Sequence, residues 1–120
     1  MIYVFDEYEL DTRLYELRRA GALVQLEPKV FDLLAYLVEH GDRIVPKPEL
    51  LAHLWPSQFI SDATFDHCVM AARRAVGDDG QRQRVIKTMR GRGYRFVAAL
   101  VALANDTSSA AGASAPQTLS

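Results

Sequence analysis

The sequence predicts an α+β domain: a small antiparallel sheet at the amino end, then three helices, then a closing β-hairpin. Three observations carry that prediction. Short segments of alternating apolar and polar residues fill the first 27 positions. Between residues 28 and 76 the apolar side chains recur at three- and four-residue spacing, punctuated by prolines and glycines. From residue 84 to residue 97 alternation returns around a tip that contains glycine.

In the amino-terminal region, residues 2–5, 14–17 and 23–26 read as strands, with turns at residues 9–12 and 19–22. Pro28 suits the first turn of a helix, where its missing N–H would have no partner in any case. That helix presents Phe31, Leu34, Ala35, Leu37 and Val38 on one side, with Leu33 near the edge, and Gly41 is its expected stop. Residues 43–45 are too short to stand alone but suit an extra paired strand. A second helix over residues 47–55, led in by Pro46 and Pro48 and ended by Pro56, buries Leu50, Leu51, Leu54 and Trp55.

Ser61 is a fitting N-cap for a third helix over residues 62–76, ended by Gly77. Its inner face is Phe65, Val69, Ala72 and Val76, which leaves Asp66, His67, Met70, Arg73 and Arg74 toward the outside or the rim. Residues 78–83 form a polar loop, and residues 84–88 and 93–97 pair as a hairpin with residues 89–92 at its tip. The expected domain covers residues 1–98, and residues 99–120 form an Ala/Ser-rich linker or disordered tail.

Charge is unevenly placed along the 120 residues. Residues 1–72 hold six basic and twelve acidic side chains, whereas residues 73–95 hold eight basic ones against Asp78 and Asp79. One cationic face on an acidic body suits a polyanion partner, and equally suits a solvated basic surface. The lone Cys68 excludes an internal disulfide framework and supplies no metal cluster. The start lacks the basic and apolar regions of a secretory signal. The longest apolar run, residues 96–104, is too short to cross a bilayer, so no membrane contact and a cytoplasmic location are expected of this segment.

Three helices with a short second connection, followed by a hairpin, describe a winged helix-turn-helix. In such a layout a helix enters the major groove and a hairpin tip reaches the adjacent backbone or minor groove. The stretch TMRGRGYRF, residues 88–96, supplies forked guanidinium donors at the tip, and its glycines allow a tight turn and close approach to sugar and phosphate.

Four motifs in order, L-E-P-K-x-F-D-L-L-x-x-L at 26–37, Glu49-Leu50-Leu51 through Trp55, Arg73-Arg74-x-Val76-Gly77-Asp78, and I-K-T-M-R-G-R-G-Y-R-F at 86–96, carry a resemblance to a known family. Residues 2–97 resemble the DNA-binding effector domain of OmpR/PhoB-type winged-helix transcription regulators of bacteria. The resemblance implies a fourth amino-terminal strand, a third helix that recognises DNA, and double-stranded DNA as the partner. RNA polymerase and a fused carboxy-terminal sensory or regulatory region are further partners of such modules. It also assigns roles: His67 faces bases, Arg73 meets a phosphate, and Arg74 meets a phosphate or an acidic neighbour. Thr88 and Tyr94 meet the backbone through their hydroxyls, Arg90 reaches the minor groove, and Arg92 is a phosphate candidate.

Cys68, Met70 and Ala71 depart from the pattern, falling where relatives often direct histidine, arginine, lysine or a polar group toward DNA. Three readings follow: His67 with apolar contacts reads the bases, Arg90 reads groove shape, or the module binds a protein and has weak or lost DNA binding. No catalytic constellation or cofactor site is legible. Asp78-Asp79 lacks a partner spacing, the histidines are scattered, and no helix follows Gly91-x-Gly93.

Overall fold

The computed structural model describes residues 1–103; the rest of the expected linker lies outside the described residues. Contacts group the chain into two compact units. Among the described residues one comprises Met1–Leu23 with residues 99–103, the other Val24–Ala98.

Strands β1 (Ile2–Phe5), β2 (Tyr8–Asp11), β3 (Glu16–Arg19), β4 (Ala22–Val24) and the last described strand, β7 (Val101–Leu103), form an antiparallel sheet in the order β4-β3-β2-β1-β7. β2 occupies most of the segment expected to be a turn. Tyr8 and Leu10 are buried while Glu9 is exposed, so strict alternation overrides the local polarity. Register follows from that pattern: Leu10 lies opposite Leu17, and both are buried. β3 begins two residues later than expected, β4 falls on the strand expected at residues 23–26, and β2 is therefore the fourth amino-terminal strand. β7 pairs with β1 through Ile2 opposite Leu103 and Val4 opposite Val101, inside the stretch expected to be linker or tail.

The other unit contains α1 (Pro28–Glu39), α2 (Lys47–Leu54), α3 (Asp62–Ala75) and a two-stranded hairpin of β5 (Ile86–Met89) and β6 (Gly93–Phe96). Pro28 stands in the first turn of α1 as expected, and the helix buries Val30, Phe31, Leu33, Leu34, Leu37 and Val38. Leu33 is therefore core rather than edge, and Ala35 is only half-buried. α1 ends at a His40 cap: the His40 N–H donates to the Tyr36 carbonyl at 3.1 Å and the Gly41 N–H to the Val38 carbonyl at 3.2 Å, and Gly41 closes the helix without a left-handed φ. α2 buries Leu50 and Leu54; Leu51 and Trp55 stay half-buried. Residues 43–45 contribute one bridge rather than a strand. Val45 and Tyr94 exchange backbone hydrogen bonds of 2.7 and 2.9 Å, which ties the segment before α2 to β6.

Candidate nucleic-acid interface

α3 is anchored at both ends. Ser61 Oγ accepts the Thr64 N–H at 3.1 Å, as its N-cap position predicts. Asp62 in the first turn suits the helix dipole and pairs with Lys47 of α2 at 3.0 Å. Along its length Phe65, Cys68, Val69 and Ala72 are buried, and α3 packs on α1. Phe65 meets the Trp55 ring edge-on at 6.3 Å and the Tyr94 ring at 5.6 Å, so one aromatic fixes both α2 and the hairpin against α3.

Cys68 is not on the outer surface. Its thiol donates to the Lys29 carbonyl of α1 at 3.6 Å, and burial pushes its pKa up to about 11. The exposed face consists of Ala63, Asp66, His67, Met70 and Arg74, with Ala71 half-exposed beside them.

Arg73 departs most from expectation. It is 8% exposed, turned neither outward nor to the rim. Its Nε donates to the Ile86 carbonyl at 3.0 Å and its Nη2 to Thr88 Oγ1 at 2.7 Å. α3 is thereby bonded directly to β5. A hydroxyl can accept and donate at once, so accepting from Arg73 leaves the Thr88 proton free for an outside acceptor.

Asp78 was legible only as half of an acidic pair in a loop, yet it is buried. Its carboxylate accepts the backbone N–H groups of Arg84, Val85 and Ile86 at 2.8, 2.8 and 3.1 Å. Burial opposes its ionisation, but these donors outweigh that and hold its pKa below the ordinary value. This one side chain thus sets where β5 starts after α3 ends.

At the hairpin tip the Arg92 N–H closes a turn on the Met89 carbonyl at 2.8 Å, with Gly91 at φ +73° in its third position. Gly93 serves a different end from the expected approach to DNA. A Cβ there would lie 2.2 Å from the Val45 oxygen and 2.8 Å from Pro46 Cα, so only glycine admits the backbone crossing that seats the hairpin.

The expected site residues therefore fall into two groups. Arg73, Arg74, Thr88 and Tyr94 line one cleft of about 520 Å³ between α3 and the hairpin, with Arg90 and Arg92 exposed at the adjoining tip. Tyr94 is half-buried, and burial followed by the nearby Asp66 charge raises its pKa. His67 lies on a second cleft of about 730 Å³ shared with Lys29 and Trp55, and Arg74 lines both clefts.

Acidic partners neutralise some cations of this unit and not others. Arg43 is forked onto Glu49, Lys47 pairs with Asp62, and Arg82 pairs with Asp79 at 3.3 Å. Among the described residues Arg74, Lys87, Arg90, Arg92 and Arg95 have no such acidic partner. Lys87 even stands directly opposite Arg95 across the hairpin, a like-charge pairing that costs stability unless an anion lies near.

The transcriptional regulator HilA of Salmonella typhi is 33% identical over 94 residues, covering 78% of this chain and 17% of HilA. The chain thus spans about a sixth of that relative's length. The DNA-binding domain of Klebsiella pneumoniae RstA, solved in complex with the RstA box, superposes with a TM-score of 0.70 at 26% identity, covering 79% of this chain and 95% of that one. Thermotoga maritima DrrB, a response regulator and OmpR/PhoB homolog, gives 0.71 at 30% identity over 79% of this chain and 43% of its own. Among the described residues no cluster of histidine, cysteine and acidic groups suits a metal ion, and no helix is long and apolar enough to cross a membrane. Residues 21–96 match the family described as "Transcriptional regulatory protein, C terminal", and the chain belongs to that family as an OmpR/PhoB-type winged-helix domain.

Proposed function

We propose that this chain binds double-stranded DNA in a sequence-dependent way as the effector module of a bacterial transcription regulator. The observation that carries the proposal is a set of exposed cations without acidic partners among the described residues, Arg74 on α3 and Arg90 and Arg92 at the hairpin tip, on a helix and a hairpin bonded together through Arg73 and Thr88. A duplex carries closely spaced phosphates and rewards fixed, unneutralised guanidinium groups. RstA, whose DNA-binding domain was solved on its box, has the same fold.

In this arrangement α3 enters the major groove with His67 toward the bases, and Arg90 at the tip reaches the neighbouring minor groove. Arg74, Arg92 and the free hydroxyl protons of Thr88 and Tyr94 meet phosphate oxygens. Arg73 holds the hairpin with Nε and Nη2 while its remaining N–H groups are offered to a phosphate at the cleft floor. RNA polymerase, a fused regulatory region and a cytoplasmic setting belong to the same proposal, drawn from the longer relatives.

One observation favours a second reading, a protein-interaction module. The outer face of α3 exposes Met70 and alanines where strong donors would serve base readout. Titrating random and enriched duplexes at two salt concentrations decides between them. A DNA module binds in the micromolar range or tighter and weakens steeply with salt. A protein-interaction module does neither.

A further inference from the structure

We infer that α3 reads thymine, through the 5-methyl groups that line the major groove; this rests on the DNA-binding proposal above. The exposed stripe of α3 runs through Ala63, His67, Met70, Ala71 and Arg74, positions three, four and seven apart that share one helix face. Three of these five side chains carry no hydrogen-bonding group. Met70 is 52% exposed, with no polar function to justify its place in water.

The donors on this face are few and none is paired with another. Arg74 lies in the last turn of α3, and His67, in its middle, is a single imidazole on the cleft it shares with Trp55. Cys68, the other candidate, is buried against α1 and withdrawn from the groove. Guanine presents two acceptors in the major groove and is read by paired donors, which the middle of this helix does not offer. Asp66 adds the opposite preference. It is an exposed acceptor on the same helix, repelled by guanine O6 and N7 and satisfied by the amino group of cytosine or adenine.

Beside His67, the centre of α3 offers apolar contact, and thymine is the base whose major-groove edge carries a methyl group. A flexible thioether flanked by two methyl-bearing alanines packs on such groups without leaving any polar atom unsatisfied. The proposed ligand is therefore a duplex with two or more thymines under the middle of α3 and no guanine acceptor facing Asp66.

The test removes those methyls and nothing else. Duplexes are first enriched from a random pool with this chain, and each thymine in the enriched site is then replaced by uracil. The expected result is an affinity loss of about fourfold per contacted methyl, the factor that burying one such group contributes. The loss falls within the segment under α3 and is absent beneath the hairpin, because the minor groove carries no methyl. Met70→Gln should abolish uracil sensitivity at one position while leaving it at the others. Enrichment of a distinct site that binds equally well with uracil throughout would overturn the thymine inference and leave DNA binding standing. Failure to enrich any duplex would overturn the DNA-binding proposal itself and this inference with it.

Discussion

Arg73 of α3 and Thr88 of β5, fifteen residues apart in the chain, are joined by a 2.7 Å hydrogen bond that makes helix and hairpin a single surface. Its companion, from Arg73 Nε to the Ile86 carbonyl, lies in a buried setting. Hydrogen bonds from charged donors contribute about 1.5–3 kcal/mol, and more is at stake when a buried acceptor is left empty. Arg73→Ala should therefore lower stability by about 2 kcal/mol or more in a thermal or urea melt. Thr88→Val, which loses one partly exposed acceptor, should cost about 1 kcal/mol. An Arg73→Ala protein that melts like the parent would show that the hairpin is held by packing alone.

Arg90 should behave in the opposite way. It is exposed at the tip with no partner among the described residues, so Arg90→Ala should leave stability within about 0.5 kcal/mol. Duplex affinity should fall about tenfold, the equivalent of roughly 1.4 kcal/mol. The slope of log affinity against log salt should shrink by about one, because a cation seated in the minor groove also displaces condensed counterions from the duplex and that cation is lost. Affinity measured at four salt concentrations checks both. Unchanged affinity with an unchanged slope would remove the tip from the interface.

The contrast between these two arginines shows what was legible in the sequence and what was not. Helix limits were, because Pro28, Ser61 and Pro56 act through local chemistry that needs no tertiary context. Both Arg73 and Arg74 fall near the boundary of the helical apolar stripe, and periodicity alone does not separate them. Only the proximity of β5 decides that Arg73 turns inward. β2 was missed for a related reason: Glu9 and Asp11 look like turn residues, while the actual turn at Asp6 and Glu7 contains neither glycine nor proline and bends through Asp6 at φ +52°. Asp78 resembled its exposed neighbour Asp79 until the fold brought three backbone donors to it.

The two hairpin glycines, two residues apart, should tolerate a methyl group very differently. At Gly91 a Cβ meets nothing within 4 Å, so Gly91→Ala carries only the conformational penalty of a positive φ, about 1–2 kcal/mol. At Gly93 the same atom would collide with the Val45 carbonyl and Pro46, both backbone, which cannot rotate away. Gly93→Ala should break the Val45–Tyr94 bridge and cost about 3 kcal/mol or more. Amide exchange at Val45 and Tyr94 reads this directly. Fast exchange is expected in Gly93→Ala, and parent-like protection in Gly91→Ala.

Asp78 gives the domain an acid limit whose sign follows from its surroundings. Burial disfavours its charge, yet the N–H groups of Arg84, Val85 and Ile86 prevail and its folded pKa is depressed. In the unfolded chain an aspartate titrates near about 3.9. The folded state thus binds the proton less readily, and the stabilisation is fully present above that value. As pH falls through the folded pKa the carboxylate is neutralised in place, its three acceptor bonds weaken, and the contribution is lost. Asp78→Asn should cost about 2 kcal/mol at pH 7, because its amide presents N–H to backbone N–H on one side. It should also flatten the stability profile between about pH 5 and pH 2. If melts of parent and variant declined in parallel over that range, the acid sensitivity would have to come from another carboxylate, and the Glu49 held at a pKa of about 2 by Arg43 and Tyr36 would be the one to replace next.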